Sequence, residues 1–267
     1  MLRDVAFGPD PGRNPLPAPG DPFGRWLRAV ALGGQGRYAR ARAELEVVRR
    51  STASPAIVSL AASTQASLLR QLGSHALAAG YDGTALALVG TTPVGNPSDA
   101  GLWHEARCDA LTGLAADALG CGRLALGHRL LERCAAYLDD RGDADGLWRQ
   151  HVRLHWVAAE IALASGDFAT ATTHAQAAVD RSADGPSVRH RVKSALLFAA
   201  AATGRPTSDL ALETAERVEA DSAAHGLVPL RWAAAMLVDG VRPSTAARAV
   251  RDECAAEIGR RGGNFAK

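Results

Sequence analysis

His151 and His155 stand four residues apart in His-Val-Arg-Leu-His, a spacing that puts two imidazoles on one helical face and allows them to share a zinc ion. No glutamate follows the first histidine, so the metalloprotease pattern is missing, and a third ligand would have to come from Glu160, His174 or His190. Nothing in the spacing fixes such a geometry, and the reading is of exposed or hydrogen-bonded histidines with no metal. Cys108, Cys121 and Cys134 recur at intervals of thirteen residues without a C-x-x-C pair. Each lies in an Ala/Leu-rich run, where a free thiol acts as a small hydrophobe, so core filling is expected. Asp109 and Asp117, eight residues apart, fall on one face of a helix. Two carboxylates need opposed positions to serve as acid and base, and ion pairs with Arg107 and Arg153 account for them without catalysis.

The marks of nucleotide and acyl-transfer chemistry are absent: there is no G-x-x-x-x-G-K-[ST] loop, no G-x-G-x-x-G and no G-x-S-x-G. The densest polar stretch runs from Trp148 to Trp156 and suits a binding surface as well as an active site. The expectation is a protein that binds rather than catalyses, with no cofactor.

The elements that would position these residues are helices. The chain has 267 residues, 47% of them apolar but only 5% aromatic, a supply dominated by Ala, Leu and Val that suits close-packed helices better than a sandwich of sheets. Thirty basic side chains face 28 acidic ones, and only Lys193 and Lys267 are lysines, an arginine skew typical of a high-GC bacterial genome. A net charge of +2 spread along the chain builds no field for nucleic acid or anionic lipid, so neither is an expected partner. No apolar run reaches the roughly 20 residues a bilayer requires, the stretch Ala195–Ala202 ending at Thr203-Gly204-Arg205. The cysteine pattern reads as reducing and the opening residues lack a secretory core, so the expected location is cytoplasmic.

Residues 1–22 hold prolines at 9, 11, 15, 17, 19 and 22 and read as a disordered tail. From Phe23 apolar residues recur at helical spacing to about residue 259, and residues 260–267 read as a flexible end. Within 23–259 the turns repeat. Gly36 is followed by Tyr38, Ala41 and Leu45 at intervals of two, five and nine residues, and Gly166 by Phe168, Ala171 and Ala175. Gly122 leads to Leu124, Gly127 and Leu131, while Gly73 leads to His75 and Ala78 but then puts Asp82 where bulk is expected. Gly204 and Gly240 open weaker units, the first needing a turn two residues longer. Seven residues before these glycines stand Ala29, Ala66, Ala115, Ala159 and Ala233, with Leu197 the exception. Small residues there let paired helices cross closely, with Tyr38 and Phe168 wedged between them.

On Gln35-Gly36-Arg37-Tyr38 and Ser165-Gly166-Asp167-Phe168, the chain resembles tetratricopeptide-repeat (TPR) proteins over roughly residues 23–256, and it is similar to uncharacterised actinobacterial proteins. It is also similar to the helical effector-sensing regions of large bacterial transcriptional activators. The spacings between turns, 37, 49, 44, 38 and 36 residues, exceed the family's 34, the extra length falling in Pro93–Pro97, Asp139–Gly146 and Ala183–Pro186. The resemblance implies an all-α, TPR-like α-solenoid of about five to six antiparallel helix pairs in a right-handed superhelical stack. In that family the first helix of each pair lines a concave groove, through positions thirteen, ten, six and three before the turn glycine. Those offsets select Leu60, Ser63, Ser67 and Arg70; Asp109, Thr112, Ala116 and Leu119; Arg153, Trp156, Glu160 and Leu163; and Arg191, Ser194, Phe198 and Ala201. Of these, Ser67, Arg70, Asp109, Thr112, Arg153, Trp156, Glu160, Arg191, Ser194 and Phe198 are the candidate binding residues.

The implied function is a non-catalytic adaptor or regulatory module holding an unidentified peptide or partner protein in this groove, an acidic one if its arginines act together. The alternative is a ligand-sensing domain that closes on a small molecule. An open groove with Arg153, Trp156 and Arg191 exposed together favours the first, and a deep closed pocket the second. In the last unit Leu227, Leu230, Ala234 and Leu237 form an apolar stripe, to be covered by residues 243–259 as a cap or by a second copy in a homodimer.

Overall fold

Gly36, Gly73, Gly122 and Gly166 have φ between 72° and 84°, the left-handed conformation that glycine adopts without steric cost. In each case the next residue donates its N–H five residues back, Arg37 to Leu32, Ser74 to Leu69, Arg123 to Ala118 and Asp167 to Ala162, which ends one helix and turns the chain into the next. Gly204 and Gly240 do not take this conformation, whereas Gly226 and Gly262 do, with the same backward bonds from Leu227 to Ser222 and Gly263 to Ile258.

The computed structural model describes residues 1–52, 54–90, 100–140 and 146–266. These form thirteen helices and no strand, so the chain is all-α. They are α1 (Leu2–Phe7), α2 (Pro22–Gly34), α3 (Tyr38–Ser51), α4 (Pro55–Arg70), α5 (His75–Gly90), α6 (Ala100–Gly120) and α7 (Leu124–Asp139). The remainder are α8 (Trp148–Ala164), α9 (Phe168–Ala183), α10 (Val188–Ala202), α11 (Asp209–Ala224), α12 (Val228–Val241) and α13 (Thr245–Arg260). None of the described helices is long and apolar enough to cross a membrane. The long insertion around Pro93–Pro97 and most of the one at Asp139–Gly146 lie outside the described residues.

From α2 onward each helix packs on the next, and the even-numbered helices α2, α4, α6, α8, α10 and α12 also touch one another in series. Ala29, Ala66, Ala115 and Ala159 on the even-numbered helices, and Ala41, Ala78 and Ala171 on the odd-numbered ones, are fully buried, as close crossings require. Tyr38 is buried as expected, with its hydroxyl bonded to Gln71 Oε1 at 3.1 Å. Phe168 is not: it is 39% exposed, because it lies across the turn of the next pair, where a side chain on Gly204 would collide with its ring.

The ends of the chain depart most from the sequence reading. Residues 1–22, expected as a disordered tail, carry α1, whose Val5, Ala6 and Phe7 are buried against α2 and α10. Proline removes backbone donors but leaves acceptors. The Pro11 and Arg13 carbonyls accept from Gln35 Nε2 at 2.8 and 3.1 Å, and that of Pro17 from Arg28 at 3.0 Å. Residues 260–266, expected to be flexible, run as a strap across the first two helix pairs. Ala39 N–H donates to Arg261 O at 3.0 Å, Arg42 to Gly262 O at 2.7 Å, Arg261 to Gln35 O at 2.6 Å, and Ala266 N–H to Leu72 O at 2.7 Å. Phe265 stacks on Trp232 with 4.6 Å between ring centroids. One hydrophobic cluster therefore joins Phe7 and Trp26 to Val228, Cys254 and Ile258, and the succession of helices closes on itself. The apolar stripe of the last unit is packed internally: Leu227 and Ala234 are buried with Val188, Val192 and Leu196 of α10, and α13 packs on α12.

Candidate functional site

Closure leaves a cavity of about 560 Å³ at the centre, lined mainly by the even-numbered helices, with Phe7 and Phe265 from the two ends and Tyr38, His75 and Ile258 from odd-numbered helices. Seven of the ten candidate positions lie on the wall of this cavity. Ser67, Arg70, Asp109, Thr112, Arg153, Trp156 and Glu160 all line the cavity. Arg191, Ser194 and Phe198 do not. Arg191 Nη1 donates to Gly185 O at 2.6 Å in the turn before α10. Ser194 Oγ accepts from Trp156 Nε1 at 2.9 Å, behind the wall, and Phe198 packs into the cluster around Trp156 and Ala159. The correction has a local cause. These positions were counted back from Gly204, which is not a left-handed turn glycine here. Counting from two residues later selects Lys193 and Leu196, and both line the cavity.

Other wall residues were missed. The same offsets applied to Gly36 give Phe23, Trp26, Val30 and Gly33, the last three of them on the wall, so the signal is present for the first unit. Arg149 lies one helical turn before Arg153 and was within reach of the pattern. Phe7 carried no such signal.

Two charged groups occupy opposite roles. On α4, Arg70 Nη1 donates to Asp82 Oδ2 at 2.9 Å, to Gly113 O at 3.1 Å and to Asp117 Oδ1. Asp82 and Asp117 are almost wholly buried, and one oxygen of each, Oδ1 and Oδ2 respectively, has no other hydrogen-bond partner. Gly113 makes room for this pairing, since a Cβ there would sit 2.2 Å from Asp82 Oδ2. Burial drives the Asp82 carboxyl up to about 7; Arg70 opposes this and Asp117 reinforces it. Burial pulls the Arg70 guanidinium down, but the two carboxylates outweigh that and hold it above its usual value.

The second group is on α6, α8 and α10. Arg149 donates to both oxygens of Asp109, at 2.8 and 3.2 Å, and to Glu105 at 3.2 Å. Arg153 Nε approaches Asp109 Oδ1 at 3.1 Å but is not aligned for a hydrogen bond. Arg189 has no carboxylate partner among the described residues; its Nη1 donates to Val30 O at 3.3 Å. The rings and cations are layered, Arg149 lying 4.8 Å and Arg189 5.8 Å from the Phe7 centroid. Arg149 and Arg153 thus share two carboxylates, and neither carboxylate reaches Arg189. Burial, then repulsion from Arg149 and Arg153, draws Arg189 down to about 10. Burial also lowers Arg153, with Asp109 opposing and Arg149 and Arg70 assisting. His190, stacked on Trp156 at 5.1 Å, has its pKa pushed well below the usual histidine value by burial and by the surrounding cations, so it is neutral. Lys193 is paired to Glu160 at 2.9 Å.

The other candidate chemistry disperses. His155 and His174 meet Nδ1 to Nδ1 at 3.0 Å, but among the described residues no three His, Cys, Asp or Glu side chains gather as a metal cluster. Cys108 and Cys134 are buried, with Cys134 Sγ 3.5 Å from Thr112 Oγ1, while Cys121 is exposed and fills no core. Arg107, expected beside Asp109, instead donates to Gly90 O at 3.3 Å and lies over the Tyr137 ring. No protein-family model matches the chain, and no curated protein does either.

Proposed function

We propose that the chain is a TPR-like α-solenoid of six helix pairs, α2/α3 to α12/α13, closed by its own ends into a non-catalytic domain that binds a small molecule and acts as a ligand sensor. The observation that carries this reading is the central, partly enclosed cavity inside the ring of helices, with Arg153 and Trp156 on its wall. An open groove for a peptide would expose those two residues together with Arg191. Instead Trp156 is 8% exposed and Arg191 is engaged elsewhere. At about 560 Å³ the space falls within the roughly 300–1,000 Å³ of small-ligand sites, and it combines apolar walls with a few convergent polar groups. The carboxylates around it are tied to arginine or lysine, which suits binding better than proton transfer.

The test is a thermal-shift screen of metabolite-sized compounds against the wild type and Ala116→Phe, a substitution that fills the cavity from α6. Compounds that raise the melting temperature of the wild type and leave Ala116→Phe unmoved are the expected result. Hits that stabilise both proteins equally would place binding outside the cavity and return the adaptor reading to the front.

A further inference from the structure

The wall formed by α8 and α10 carries more positive charge than the protein neutralises. Asp109 and Glu105 saturate Arg149, and Asp109 has little left for Arg153. Arg189 is held over Phe7 and beside a backbone carbonyl with no counter-charge. A guanidinium removed from bulk water without a partner is costly, and the cost is recovered when an oxyanion supplies acceptors in the plane of its fork. His190, neutral between Trp156 and Trp148, adds no competing charge. Next to α10, the lining contributed by α12 is largely apolar, with Leu230, Trp232 and Ala233.

We propose that the ligand of this cavity is a small organic oxyanion, a carboxylate or a phosphate ester, whose anionic group lies between Arg153 and Arg189 and whose apolar body packs towards α12. Arg149 positions rather than binds, since its donors are already directed at Asp109 and Glu105. The proposal rests on the small-molecule reading of the cavity and adds the ligand's chemical class.

The experiment is calorimetric titration of the full chain with 3-phenylpropionate, phenyl phosphate, inorganic phosphate and the neutral 3-phenylpropionamide, at constant ionic strength. The proteins are the wild type, Arg153→Met, Arg189→Met, Arg189→Lys and Arg191→Met. At least one organic anion should bind the wild type, at least about tenfold more tightly than the amide, and each methionine variant on the wall should lose about tenfold or more. Arg189→Lys, which keeps the charge but loses the fork, should fall between, and Arg191→Met should match the wild type. Carboxylate and phosphate are separated by which organic anion binds more tightly, and inorganic phosphate reports the anion subsite without the apolar body. Equal binding of amide and acid, an undiminished response in both methionine variants, or no anion bound by the wild type would each overturn the oxyanion. Neutral hits from the library screen, blocked by Ala116→Phe, would then still stand for the cavity itself, so the two failures are distinct.

Discussion

The Arg70 cluster and the Arg149–Arg153–Arg189 cluster are built from the same side-chain types at comparable depth, yet their balance is opposite. One guanidinium serves two buried carboxylates at the first, while at the second Arg149 and Arg153 share two carboxylates and Arg189 has none. The first is short of positive charge and is relieved by a proton, since the Asp82 carboxyl is raised to about 7. The second is short of negative charge and cannot shed a proton at neutral pH, because arginine stays charged even when lowered to about 10. The same chemistry therefore serves two ends. One cluster stitches α4, α5 and α6 together from within, and the other leaves donors facing a void.

The sharpest way to break this comparison is to remove Arg70. Its loss leaves Asp82 and Asp117 without their guanidinium in an interior where they are nearly inaccessible to water. Arg70→Met should cost about 3–5 kcal/mol of unfolding free energy, the usual penalty for breaking a buried pair from one side. Chemical denaturation read by far-UV circular dichroism measures it. A loss below about 1 kcal/mol would mean that the triad is hydrated and that the two clusters do not differ as described.

The next effect is a pH dependence specific to the first cluster. A carboxyl whose folded pKa lies above its unfolded value binds its proton more tightly in the native state. Its stabilising contribution is full below the ordinary aspartate range and is lost as pH rises through about 7. Asp82→Asn removes that titration while keeping the shape. The melting temperature of Asp82→Asn relative to wild type should therefore climb between about pH 5 and about pH 8, as the wild type declines. A difference that stays flat over that window would show that Asp82 ionises normally beside Arg70.

The contrast also marks how far sequence reaches. The helical class follows from composition and periodicity, and part of the inner wall follows from offsets to Gly36, Gly73, Gly122 and Gly166, whose backbone geometry is local. The anomaly of Asp82 at a bulky position was visible in the sequence, but its explanation was not. It depends on Arg70 twelve residues away and on the missing side chain of Gly113 on a third helix. Closure of the helix ring was not legible, because α1 and the C-terminal strap reach helices far away in the chain, the strap through backbone carbonyls such as that of Gly262 accepting from Arg42, and carbonyls leave no trace in residue type. The register of α10 was lost for a local reason, a turn glycine that does not adopt the turn conformation of the others.

The smallest expected change in stability belongs to the second cluster and separates it most cleanly from the first. Arg189 gives the fold one carbonyl hydrogen bond at 3.3 Å and a ring contact, against the cost of burying a cation among other cations. Methionine keeps the packing of its aliphatic stem, which touches the backbone face at Gly34, and removes the charge. Arg189→Met should therefore leave the unliganded protein within about 1 kcal/mol of wild type, on either side of zero. The relevant measurement is the same denaturant titration used for Arg70→Met, in buffer free of oxyanions. A loss as large as that of Arg70→Met would make Arg189 a structural residue, and the second cluster would then be a stitch like the first.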